Sequence, residues 1–139
     1  MDGISSAASV IAVIQLTGSI VKICGGYIQE VKDARDDIIT LQRTVAGLEG
    51  VLQKFKELQG PHGTKLPTTS SLANNISDCL SHLEALEKKI YPGRGKRTMK
   101  RFGFRALKWP LKRTEADRII QDLERYKSSF TLSLQVDQT

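Results

Sequence analysis

The stretch Val31–Phe55, VKDARDDIITLQRTVAGLEGVLQKF, decides the fold. Its residues Val31, Ala34, Ile38, Leu41, Val45, Leu48, Leu52 and Phe55 fall at alternating spacings of three and four. That rhythm keeps one stripe of an α-helix apolar, because about 3.6 residues complete a turn. Lys32, Asp33, Arg35, Asp36, Asp37 and Arg43 stay off the stripe. The pattern predicts a helix over about residues 29–58, roughly 45 Å long at ~1.5 Å per residue. Gly47 and Gly50 inside it each cost about 1 kcal/mol relative to alanine. Packing must offset that cost, or a neighbouring helix must approach closely there.

Working outward, the preceding stretch Gly3–Val21 carries no charge and predicts a first helix over about residues 4–24. Gly25-Gly26 predicts a bend or break before the next helix. Downstream, the Gly/Pro-rich run Gly60–Ser70 reads as a loop, with Ser70 or Ser71 as a helix N-cap. Leu72, Ile76, Cys79, Leu83, Leu86 and Ile90 then repeat at helical spacing, predicting a third helix over about 71–90 closed by Pro92-Gly93. Ala116, Ile119, Leu123, Tyr126, Phe130 and Leu134 predict a fourth over about 114–136, capped by Thr114. Met99, Phe102, Ala106 and Trp109 predict a short basic helix over about 97–108, which Pro110 ends. No β-alternation longer than four residues occurs, so the expected fold is all-α, a bundle of four long helices plus the short one.

At 139 residues the chain suits one domain, and Cys24 and Cys79 are too few for a disulfide framework. A reducing, cytoplasmic setting is therefore expected. The opening Met1-Asp2 lacks the positive charge that precedes the apolar core of a signal peptide. The formal charge of +6 is concentrated: Lys88–Arg113 holds eleven of the 21 Lys and Arg residues and no Asp or Glu. A patch of that kind implies an anionic partner.

Catalytic chemistry finds little to work with. Nucleophilic catalysis needs a base aimed at a Ser or Cys, and neither His62 nor His82 sits near a nucleophile motif. Cys79 and His82 stand three residues apart on one helix, yet a closed zinc site needs four ligands. Cys79 on the apolar seam reads as a small core residue. Gly93–Thr98 and Gly60–Lys65 lack the spacing of a phosphate loop. Asn75-Ile76-Ser77 fits the glycosylation pattern but falls inside a predicted helix. No enzymatic activity, metal or cofactor is expected.

The basic segment interleaves Tyr91, Phe102, Phe104 and Trp109 with its cations. Cations beside Trp and Phe suit an anionic bilayer surface, and equally single-stranded nucleic acid. The charge-free first helix favours the bilayer, since its small residues permit close helix packing both in a bundle and in lipid. Nucleic acid is therefore not the expected partner.

Three stretches carry a family resemblance: the opening Met1-Asp2-Gly3 with its Ser/Ala/Val/Ile helix, then Leu107-Lys108-Trp109-Pro110-Leu111, and finally Leu123–Leu134, LERYKSSFTLSL. They resemble the HeLo-like N-terminal domains of fungal STAND and NACHT immune receptors. Those are distantly similar to the HeLo domain and to the bundle of the mixed-lineage kinase domain-like pseudokinase. The resemblance implies one domain over residues 1–139, forming the N-terminal part of a larger protein. It implies a cell-death effector, cytoplasmic at rest and at the plasma membrane when active. A downstream STAND or amyloid-signalling module would drive its self-association and free the first helix to permeabilise the membrane. Ile4, Val10, Ile11, Val13, Ile14, Leu16, Ile20 and Val21 would then enter lipid. Lys96, Arg97, Lys100, Arg101, Arg105 and Lys108 would hold anionic headgroups, with Phe102, Phe104 and Trp109 at the interface. The alternative is a protein–protein adaptor module without membrane activity of its own.

Overall fold

The computed structural model describes residues 6–31, 34–59, 69–91 and 108–138. Among these, four helices form: α1 (Ser6–Glu30), α2 (Arg35–Gln59), α3 (Thr69–Ile90) and α4 (Arg113–Gln138), with no strand. The all-α bundle expected from periodicity is the fold. The predicted basic helix at 97–108 falls on residues outside those described, apart from Lys108, which is not helical.

Cross-helix contacts fix how the bundle is laid out. Gln42 on α2 donates to the carbonyl of Val21, and Gly18 faces Glu49, so α1 and α2 run antiparallel. Tyr27 meets Ile90 and Ser19 meets Glu87, placing α3 parallel to α1. Phe55 packs on Phe130, and Gly47 faces Lys127, so α4 runs parallel to α2. Asn75–Ser129 and Lys89–Glu115 close the ring between antiparallel α3 and α4. Around the bundle the order is therefore α1, α2, α4, α3, and the chain crosses a diagonal from α2 to α3.

Among the described residues the predicted stripes of α2, α3 and α4 face the core. On α2, Ile38, Leu41, Val45, Leu48, Leu52 and Phe55 are fully buried, as are Ile76, Cys79, Leu83 and Ile90 on α3. Ala116, Leu123, Phe130 and Leu134 of α4 join them, with Ile119 and Tyr126 packed at the margin. α1 has a stripe of its own: Val10, Val13, Thr17, Ile20, Cys24, Tyr27 and Val31 are buried at spacings of three and four. Thr17 fits there because its hydroxyl donates to the Ile14 carbonyl at 2.6 Å, satisfying a polar group that burial would otherwise penalise.

Four boundaries differ from expectation. The break predicted at Gly25-Gly26 does not occur, and α1 continues through both glycines to Glu30. Cys24 and Tyr27 extend the buried stripe across the pair, and their packing offsets the glycine cost. Val31 belongs to the end of α1, since its amide donates to the Tyr27 carbonyl at 2.8 Å. The turn instead comes at Ala34, which takes a left-handed φ of 61° and accepts the first α2 bond from the Ile38 amide. α2 thus begins at Arg35, not near residue 29.

α3 starts at Thr69, so Ser70 and Ser71 lie inside its first turn rather than at the cap. Four consecutive Thr and Ser residues, 68–71, make the capping signal degenerate there. α4 starts at Arg113, with the Lys112 carbonyl accepting from the Ala116 amide at 2.8 Å, and Thr114 is within the helix. Burial of Leu111 pins the chain to the core between Pro110 and the start of α4.

Candidate functional site

The apolar first helix is docked. Val10, Val13 and Ile20 are fully buried, while Ile14, Leu16 and Val21 are half-buried against the same core. Ile11 is 41% exposed, and Ile4 lies outside the described residues. The eight positions expected to enter lipid therefore do not form one exposed face; those described surround the helix. Among the described residues, Ala8–Glu30 is the one span long and apolar enough to cross a membrane. The core helix of a soluble protein passes that same test.

Several polar links hold α1 in place. Ser19 donates to Glu87 Oε2 at 2.5 Å, and Gln42 Nε2 donates to the Val21 carbonyl at 3.1 Å. Tyr27, only 4% exposed, donates its hydroxyl to the Ile90 carbonyl at 2.7 Å. Ile90 ends α3, and carbonyls in the last turn of a helix have no intrahelical partner. The tyrosine from α1 thus caps α3. Its phenol is pushed above the usual range, first by burial and then by neighbouring Cys24.

The ring of Tyr27 also meets Trp109 edge to face, with centroids 4.9 Å apart and planes at 81°. Trp109, expected at a lipid interface, is half-buried here against α1. Its indole Nε1 is buried without a hydrogen-bond partner among the described residues. Such an orphaned donor costs about 1–3 kcal/mol. Beside it Lys108, Lys112 and Arg113 are exposed. Lys96, Arg97, Lys100, Arg101, Phe102, Phe104 and Arg105 lie outside the described residues, so their mutual placement is not part of this geometry.

Periodicity alone did not single out Tyr27. Continuing the spacing Val13, Thr17, Ile20, Cys24 by three more residues reaches it, which is the signal available in sequence. Its two partners, Ile90 and Trp109, are distant in sequence and carry no such signal.

The remaining chemistry is sparse. Cys24 and Cys79 are buried free thiols, each pushed by burial up to about 12, and such thiols are poor nucleophiles. His82 is exposed on α3 and turns its ring edge to Tyr126, 5.5 Å away, whereas Cys79 points into the core. Among the described residues no three His, Cys, Asp or Glu side chains gather as a metal site. A groove of about 290 Å³ lies between α3 and α4, lined by Leu86, Ile119 and Leu123 with His82, Lys89 and Asp122 among the polar residues.

Comparison with known proteins yields one match. No curated protein and no solved structure matches the chain. The family model for the pigment biosynthesis cluster protein PigL N-terminal region covers residues 1–137, almost the whole bundle with its α1 and its cationic run, and the chain belongs to that family.

Proposed function

We propose that this bundle is a HeLo-like membrane-targeting domain of a fungal immune receptor, which on self-association releases α1 to permeabilise an anionic membrane. One observation carries the reading. α1 is long and apolar enough to span a bilayer, and it carries no charged residue from Ser6 to Val21. The eleven cations of Lys88–Arg113 support it, since each cation near an anionic bilayer contributes about 1 kcal/mol. Lys96, Arg97, Lys100, Arg101, Arg105 and Lys108 would meet headgroups. Val10, Ile11, Val13, Ile14, Leu16, Ile20 and Val21, with Ile4, would follow into lipid.

The test is dye release from liposomes of anionic and of neutral composition. The 139-residue chain should empty anionic liposomes selectively, and removal of residues 1–21 should abolish release. Leakage that survives the truncation rejects the mechanism. Charge reversal at Lys100, Arg101 and Arg105 should weaken vesicle binding, and added salt should do the same. Binding without leakage would leave the adaptor role.

A further inference from the structure

The two ends of the cationic run converge on one side chain of α1. Ile90, near the start of the run, accepts the Tyr27 hydroxyl at 2.7 Å, and Trp109, near its end, packs its ring on Tyr27 at 4.9 Å. The chain between them, residues 91–108, holds seven of the eleven cations. Tyr27 is therefore the point where α1 meets both ends of the segment best suited to an anionic surface.

Trp109 is poised between two environments. In the bundle its indole Nε1 is buried and unpartnered among the described residues. At a bilayer interface the same N–H finds water or headgroup oxygens while the ring stays in an apolar layer, which is why tryptophan concentrates there. Exposed Lys108, Lys112 and Arg113 flank it in sequence with charge complementary to anionic phospholipid.

From this juxtaposition we infer that Trp109 senses an anionic lipid surface and that Tyr27 couples its departure to the undocking of α1. The inference rests on the membrane reading and supplies its trigger. When lipid takes Trp109, Tyr27 loses its ring partner. The clamp at the C-terminal end of α1 is then left with the Tyr27–Ile90 hydrogen bond. Linkage makes the effect reciprocal: whatever loosens the clamp must strengthen lipid binding by the same factor.

Trp109 is the sole tryptophan, so its fluorescence reports the event without a label. Vesicles of phosphatidylserine mixed with brominated phosphatidylcholine are titrated into the 139-residue chain, with neutral brominated vesicles as the control. Binding is followed separately by co-sedimentation. The expected result is quenching of Trp109 by the anionic vesicles alone, with faster amide hydrogen exchange along α1. Tyr27→Phe, which keeps the ring and removes the hydroxyl, should bind anionic vesicles roughly fivefold more tightly, the equivalent of one hydrogen bond. Co-sedimenting protein with unquenched Trp109, with α1 still protected, or with unchanged affinity in Tyr27→Phe overturns the coupling. Quenching and α1 exposure without dye release support the coupling and overturn permeabilisation. Failure to co-sediment at all overturns both.

Discussion

Ser19 on α1 donates a 2.5 Å hydrogen bond to the carboxylate of Glu87 on α3, linking two parallel helices whose other contacts are mainly apolar. Hydrogen bonds to a charged acceptor contribute about 1.5–3 kcal/mol, and partial exposure puts this one near the lower figure. Ser19→Ala should lower stability by about 1–1.5 kcal/mol in denaturant titration. The loss should be concentrated in α1, visible as faster amide exchange there than in α2. An even loss across all helices would contradict the assignment of this bond as an α1 tether.

Phe55 and Phe130 are both fully buried and meet edge to face at 6.0 Å, tying α2 to α4. Truncating either to alanine should cost about 3–5 kcal/mol. The double variant should lose less than the sum of the two by about 0.5–1.5 kcal/mol, the coupling expected of an aromatic pair. A double-mutant cycle measured by denaturation checks this, and strict additivity would show that the rings do not interact.

Gly50 sits inside α2 with no atom within 4 Å of where a Cβ would stand. No close helix approach requires the glycine. Gly50→Ala should therefore raise stability by about 1 kcal/mol, read as a higher denaturant midpoint with an unchanged slope.

Ala34 is the reverse case, an alanine at a left-handed φ of 61° in the turn between α1 and α2. That conformation costs an L-residue roughly 1–2 kcal/mol and glycine almost nothing. Ala34→Gly should be stabilising by a few tenths to about 1 kcal/mol after the added chain entropy is counted. Ala34→Val should be destabilising, because a branched Cβ aggravates the same clash. Thermal denaturation of the two variants should move the midpoint in opposite directions.

The buried thiols give the fold an alkaline limit. Burial moves Cys24 and Cys79 from 9.0 to about 12, so the folded state holds their protons more tightly than the unfolded chain does. Their contribution to stability is complete below about pH 9 and is lost as pH rises toward about 12. Replacing both with alanine should cost core packing at neutral pH yet flatten part of this alkaline decline. Denaturant midpoints measured across that range decide it, and an unchanged slope with pH in the double variant would exclude the thiols as the cause.

Local periodicity made most of the helices legible. The three-and-four spacing of α2, α3 and α4 named most of their core-facing residues, although Val31 and Ala34 fell outside α2. In α1 the same spacing was present but hidden, because nearly every position from Ile4 to Val21 is apolar or small and no polar face contrasts with the stripe. The candidate site divides in the same way. Charge and aromatic content marked the cationic run and Trp109, whereas Tyr27 drew no notice beside a glycine pair that predicted a break.

The sequence by itself determined that this chain is helical, which faces of α2, α3 and α4 are buried, and where its charge lies. Those properties depend on residues within about four positions of one another along a helix. Only the tertiary structure decided that α1 runs on to Glu30, that α1 neighbours α3 rather than α4, and that both ends of the cationic run rest on Tyr27. Whether a helix continues through Gly25-Gly26 depends on the packing that awaits it. Much of that packing comes from Ile90, 63 residues away, and from Trp109 beyond it, which no local pattern encodes.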